Sequence, residues 1–142
     1  VSNYSAIQQL LNSQLSSMAS IMGGTPWKRE NLDIAPNENE IYIESELIPA
    51  ETGYPNVGLI GFEHEFGTFA VYVKGVRYQG WGGYSDIVDE IIDHFPRNLI
   101  LADSASSINL KILKAFALSG FTASDGRYTI PVYVRYDTYI CY

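Results

Sequence analysis

The chain has 142 residues, 46% of them apolar, with 11 Tyr, 6 Phe and 2 Trp, and it carries 9 basic and 16 acidic side chains for a net charge of −7. That length and apolar content predict one domain, 1–142, with its own core, and exclude a disordered chain. The nine bases are scattered without a stripe, which excludes binding to a nucleic-acid groove or phosphate backbone. Cys141 is the only cysteine, so no intrachain disulfide forms and a reducing compartment is expected. No run reaches the roughly 20 apolar residues of a membrane span, and the N-terminal apolar residues are periodic, unlike a signal peptide.

Residues 4–22 predict a helix. Tyr4, Ile7, Leu11, Leu15, Met18 and Met22 step by three or four, Leu10 and Ile21 widen the stripe, and Ser2 or Asn3 caps the start. Gly23, Gly24 and Pro26 end it. Its polar face is Gln, Asn and Ser without charge, as suits a face packed on a neighbour or a plain amphipathic helix on a sheet. Residues 27–39 read as a loop.

Residues 40–48 alternate apolar and polar and predict a strand, with Ile41, Ile43 and Leu47 on one face and Glu40, Glu44 and Glu46 on the other. Pro49 ends it, and 51–58 is a connection longer than a tight hairpin needs. Residues 59–73 predict one long strand, or two broken by a bulge at Gly67. Ile60, Phe62, His64 and Phe66 share one face and Glu63 and Glu65 the other, with Phe69, Val71 and Val73 continuing an apolar face beyond the bulge. Pairing the two strands as a hairpin with matched apolar faces crowds five carboxylates on one side, an arrangement that like-charge repulsion opposes.

After the aromatic, glycine-rich stretch 77–84, Ser85 is a good N-cap for a second helix running to Phe95. Ile87, Val88, Ile91, Ile92 and Phe95 form its stripe, Asp89, Glu90 and Asp93 its outer face, and Pro96 its stop. Residues 99–101 predict a short strand and 108–121 a longer one with a bulge at Ile112-Leu113. Asp125-Gly126 signals a hairpin turn. Residues 127–139 form the last strand, where Tyr128, Ile130, Val132, Val134 and Tyr136 share a face and Pro131 marks an edge or a bulge. The order predicts an α+β fold: a mostly antiparallel twisted sheet of four to six strands with two helices packed on one face.

No chemistry-bearing constellation emerges. On a strand His64 points away from Glu63 and Glu65, so the three make no metal site. Glu44 and Glu63 as an acid–base pair need a dry pocket that an open sheet face lacks. His94 at a helix end reads as a surface residue. Gly80-Trp81-Gly82-Gly83 lacks both phosphate-loop patterns and sets Asp86 where a phosphate belongs. Serine-nucleophile motifs are absent, and Cys141 has no base near it in sequence. The expected catalytic residues, metal ligands and cofactors are therefore none.

The layout resembles the tail terminator proteins of long-tailed bacteriophages. The likeness rests on the first helix, Ile41-Tyr42-Ile43-Glu44-Ser45-Glu46-Leu47-Ile48-Pro49, and Phe66-Gly67-Thr68-Phe69-Ala70-Val71-Tyr72-Val73. It continues in the helix closing on His94-Phe95-Pro96 and in the end segment from Asp125 to Val134. The resemblance implies a structural virion protein without chemistry. It implies a hexameric ring that caps the tail tube, ends its polymerisation and offers a docking surface to the head-completion or neck protein. Its partners would be further copies of itself, the major tail tube protein and that neck protein, with no membrane. It would sit at the head-proximal end of the tail, after assembly in the host cytoplasm.

An acidic protein suits a channel through which genomic DNA slides without specific binding, and Glu40, Glu44, Glu46, Glu63 and Glu65 are the candidate lumen residues. Tyr54, Tyr78, Trp81 and Tyr84 are the candidates for subunit or tube contacts, since Tyr and Trp favour half-wet surfaces. A neck or head–tail adaptor, or a generic protein-binding module without tube-capping activity, is the alternative.

Overall fold

In the computed structural model, residues 3–28, 41–48, 52–53, 62–75, 82–103, 108–124 and 126–141 are described. Among them, three helices and eight strands follow the order α1 (Asn3–Ser16), α2 (Ala19–Met22), β1 (Trp27–Lys28), β2 (Tyr42–Ile48), β3 (Thr52–Gly53), β4 (Phe62–Gly75), α3 (Gly82–His94), β5 (Ile100–Asp103), β6 (Ile108–Ala117), β7 (Phe121–Thr122) and β8 (Tyr128–Cys141). The strands make one sheet in the order β1-β2-β4-β8-β6-β5, with β3 added to β4 and β7 to β8. Only β1–β2 is parallel. The fold is α+β, as the element order predicts.

One face of the sheet is apolar because the strands put Ile43, Leu47, Phe69, Val71, Val73, Leu110, Ile112, Ile130, Val132, Val134 and Tyr136 there, all buried. The helices cover it. From α1 come Ile7, Leu11 and Leu15, followed by Met18 in the turn, and from α3 come Tyr84, Val88 and Ile91, followed by Phe95, so each stripe predicted at helical spacing lies in the core. Burying a side chain of this size contributes roughly 1.5–3 kcal/mol, which is what holds helices of 14 and 13 residues on the sheet.

The single helix expected over 4–22 is broken. Ser16 and Ser17 donate their hydroxyls to the carbonyls of Ser13 and Gln14, at 2.8 and 2.7 Å, and so take over acceptors at the end of α1. Met18 is extended (ψ 137), and α2 restarts at Ala19. Met18 remains buried. The break thus turns the chain while keeping the apolar stripe on the core.

Three further expectations change. Trp27–Lys28, expected in a loop, forms β1 beside Ile43–Glu44. The Trp27 indole donates to Ser45 Oγ at 2.8 Å, and the Ile43 amide donates to the Pro26 carbonyl at 2.9 Å. The second helix starts at Gly82, before the Ser85 cap, because its first turn carries Tyr84 into the core against Tyr128, edge-on with ring centroids 5.7 Å apart. Gly67 produces neither a break nor a bulge: β4 pairs with β8 without interruption from Phe62 to Gly75.

The predicted bulge in β6 is present, with the register shifting between Ile112 and Lys114. Gly126, at φ 82, turns the chain from β7 into β8, in the left-handed conformation that glycine favours. Pro131 is neither at an edge nor in a bulge, since β8 is central in the sheet. The Pro131 carbonyl accepts from the Leu118 amide at 2.9 Å. Carbonyl and amide of one strand residue point the same way, so the missing N–H faces the site where β6 has ended at Ala117 and no ladder partner is lost.

Candidate functional site

The helix-free face of the sheet holds the polar side chains of β2, β4, β8 and β6 in rows set by the register. One row runs Glu44, Tyr72, Pro131; the next Glu46, Ala70, Tyr133, Phe116; the next Ile48, Thr68, Arg135, Lys114; and a fourth Phe66, Asp137, Lys111, Ile100. The face is therefore acidic at its β2 end and basic at its β6 end.

At the acidic end the charges are engaged. Glu44 lies 3.1 Å from Lys74 Nζ and 4.0 Å from Lys28 Nζ. Glu46 accepts the Tyr72 hydroxyl at 2.8 Å. Burial pushes the Tyr72 phenol above its ordinary range, and the bond to Glu46 adds to the shift, so Tyr72 stays a neutral donor at any physiological pH. At the basic end Lys114 and Arg135 both lie over the Phe116 ring, 5.4 and 5.2 Å from its centroid, and Tyr133 meets that ring edge-on at 6.1 Å.

This layout revises the five-carboxylate face. β2 pairs with residues 68–74, not with 60–66, so Glu44 stands opposite Tyr72 and Glu46 opposite Ala70. Glu63 and Glu65 stand opposite Ile140 and Thr138 of β8, and Glu65 also opposite Thr52. Glu44 and Glu63 do not face each other. Glu40 lies outside the described residues. Of the aromatic candidates, Tyr54, Tyr78 and Trp81 lie outside them too. Tyr84 is buried, its ring filling the space over Gly75, so it packs inside the subunit and presents no surface to a neighbour.

Behind the sheet, the uncharged polar face of α1 meets α3. Gln14 Nε2 donates to the His94 carbonyl at 2.8 Å, and His94 Nε2 lies 2.6 Å from the Gln14 carbonyl and 2.7 Å from Ser17 Oγ. Glu90 accepts the Ser20 amide at 2.9 Å and also the Ser20 hydroxyl, holding the start of α2. His94 is thus a half-buried link between helices and not the free surface residue its position suggests. The sequence signal for this link was the charge-free Gln/Ser face. The other acids of α3, Asp86, Asp89 and Asp93, are exposed.

Among the described residues no three His, Cys, Asp or Glu side chains converge to hold a metal ion, and no helix is long and apolar enough to cross a membrane. The open feature is the sheet itself. Its terminal strands, the two-residue β1 and the four-residue β5, have no outer partner among the described residues, and β1 covers only Ile43 and Glu44 of β2. A small sheet with one face covered, mixed charge on the other and ladder edges at both ends is an assembly module.

A family model described as phage tail terminator protein matches residues 6–136, and the chain belongs to that family, whose members are structural virion proteins. Seven solved chains match. One of them, whose title states no function, superposes with a TM-score of 0.66 at 20% identity, covering 92% of this chain and 94% of its own, and shows the same fold. No curated protein matches. The family supports a tail-completion role in the virion and contact with other tail or head proteins.

Proposed function

We propose that the protein closes head-to-tail into a hexameric ring, caps the tail tube when it reaches its length, and offers its opposite side to the head-completion or neck protein. Membership of the tail terminator family carries this reading. A sheet with ladder edges at both ends supports it, because a ring built from one kind of subunit needs two different, complementary patches on each copy. In this ring the helix-free face lines the channel, with Glu44 and Glu46 contributing negative surface, while DNA passes without specific contacts. The ring acts by occupancy of the tube end and uses no cofactor. It is assembled in the host cytoplasm and ends at the head-proximal end of the tail.

The test is to add purified protein to tail tubes, image the ends by negative stain, and then supply fresh tube subunits. Density with sixfold symmetry at one end and no further lengthening is the expected result. Tubes that keep growing, with the protein bound to a neck component instead, would replace capping by the adaptor role.

A further inference from the structure

The contact that closes such a ring can be read from the sheet. We propose that β5 of one subunit pairs with the Ser45–Ile48 half of β2 in the next, so that one continuous sheet runs around the assembly; this rests on the ring reading above. Three observations converge. Both segments are four residues long and have no ladder partner on their outer sides among the described residues. An unpaired edge presents a row of N–H and C=O groups ready for another strand. β5 reads Ile-Leu-Ala-Asp, with no Pro or Lys to guard it, and Ile100 is 63% exposed.

The side chains also match. On the helix-free face, the open part of β2 presents Glu46 and Ile48, the latter 38% exposed. The same face at the other end presents Ile100 on β5 and Lys111 beside it on β6. Edge pairing sets Ile100 against Ile48 and brings Glu46 towards Lys111, an apolar contact and an opposite charge from each side. Glu44 is excluded from this role because Lys74 already holds it.

Direction is fixed by the topology. Four antiparallel pairings separate β2 from β5, so both strands run the same way. Closure about an axis along the strands therefore makes the new pairing parallel. Ile100 belongs to the Phe66 row and Ile48 to the neighbouring Thr68 row. Each contact thus staggers the sheet by one row, and such a shear tilts the strands of a closed sheet. The partner is a second copy of this chain, because the two ends complement each other in length, polarity and charge.

The experiment uses a Cys141→Ser chain carrying Ile48→Cys and Ile100→Cys, incubated with tail tubes, oxidised and run on a denaturing gel. A ladder ending at six subunits is expected, and either cysteine alone should give none. Rings seen by microscopy without a ladder would overturn the edge pairing and leave the ring standing. Absence of rings from the unsubstituted protein on tubes would overturn both. Charge supplies an independent readout: Glu46→Lys should abolish ring formation with the circular dichroism unchanged, and adding Lys111→Glu should restore it. Failure of that rescue while Glu46→Lys remains folded would also reject the proposed register.

Discussion

Gly67 is the position where sequence and structure diverge most usefully, and it yields a quantitative test. The sequence predicts a bend there, yet β4 passes straight through and pairs Gly67 with Tyr136 of β8. The reason is space. A Cβ on Gly67 would fall inside contact distance of the Tyr136 Oη and Cζ and 2.8 Å from its Cε1. The tyrosine is 3% exposed and belongs to the core cluster, so its ring cannot swing aside into solvent. Gly67→Ala should therefore destabilise by about 1–3 kcal/mol, the usual cost of overpacking. With Tyr136→Leu the obstructing atoms are gone. Gly67→Ala should then stabilise by about 0.5 kcal/mol, because glycine in a strand loses more backbone freedom on folding than alanine. Urea unfolding of the four chains in a double-mutant cycle measures this, with a predicted coupling of roughly 2 kcal/mol and a reversal of sign. An equal cost for Gly67→Ala in both backgrounds would refute the ring-over-glycine argument and return Gly67 to an intrinsic backbone requirement.

Phe95→Ala should cost about 3–5 kcal/mol, since Phe95 is 1% exposed and its ring lies 6.1 Å from that of Phe69; thermal unfolding reads it directly. Glu90→Ala should cost about 1–2 kcal/mol and raise amide exchange selectively in α2, which loses the carboxylate holding the Ser20 amide. The Tyr72 phenol is raised in the fold above its unfolded value of about 10, so its contribution to stability is full below that pH and is lost as pH rises beyond it. Tyr72→Phe should therefore flatten the fall in urea midpoint above about pH 10 and leave the midpoint at neutral pH nearly unchanged.

What was legible in the sequence is what local periodicity encodes. The α3 stripe from Val88 to Phe95, the inward face of β8 and the slip at Leu113 all follow from neighbours within a few residues, and all three are present. The register between β2 and β4 was not legible. Residues 60–66 and 68–74 both alternate, so either window can receive β2, and only the long-range packing of Phe69, Val71 and Val73 under the helices selects the second. The two-residue β1 is likewise invisible locally, because its partner Ile43 lies beyond a connection with no pattern of its own. Tyr84 shows the limit of composition as a guide. Tyrosine content suggested wet interfaces, but this ring is taken by a glycine on β4 and a tyrosine on β8.

The register also changes what can be said about DNA in the channel. Five aligned carboxylates would have made repulsion a property of one strip. Instead, the described part of the helix-free face carries Glu44 and Glu46 beside Lys74, with Lys111, Lys114 and Arg135 further along the same sheet. In the proposed hexamer the total charge is six times −7, or −42, but charges more than about 8 Å away are largely screened at physiological salt. The exposed acids of α3 lie across the sheet from the channel side and so contribute little there. DNA sliding then depends on a near balance along this face, and Glu44 and Glu46 matter because they offset neighbouring cations. Changing both to Gln should leave a net basic face that holds duplex DNA in low salt and releases it as salt rises, with a slope set by the few phosphates contacted. Binding that stays undetectable at low salt in the assembled, doubly substituted ring would show that this face does not meet the DNA, and would move the channel lining to another surface of the subunit.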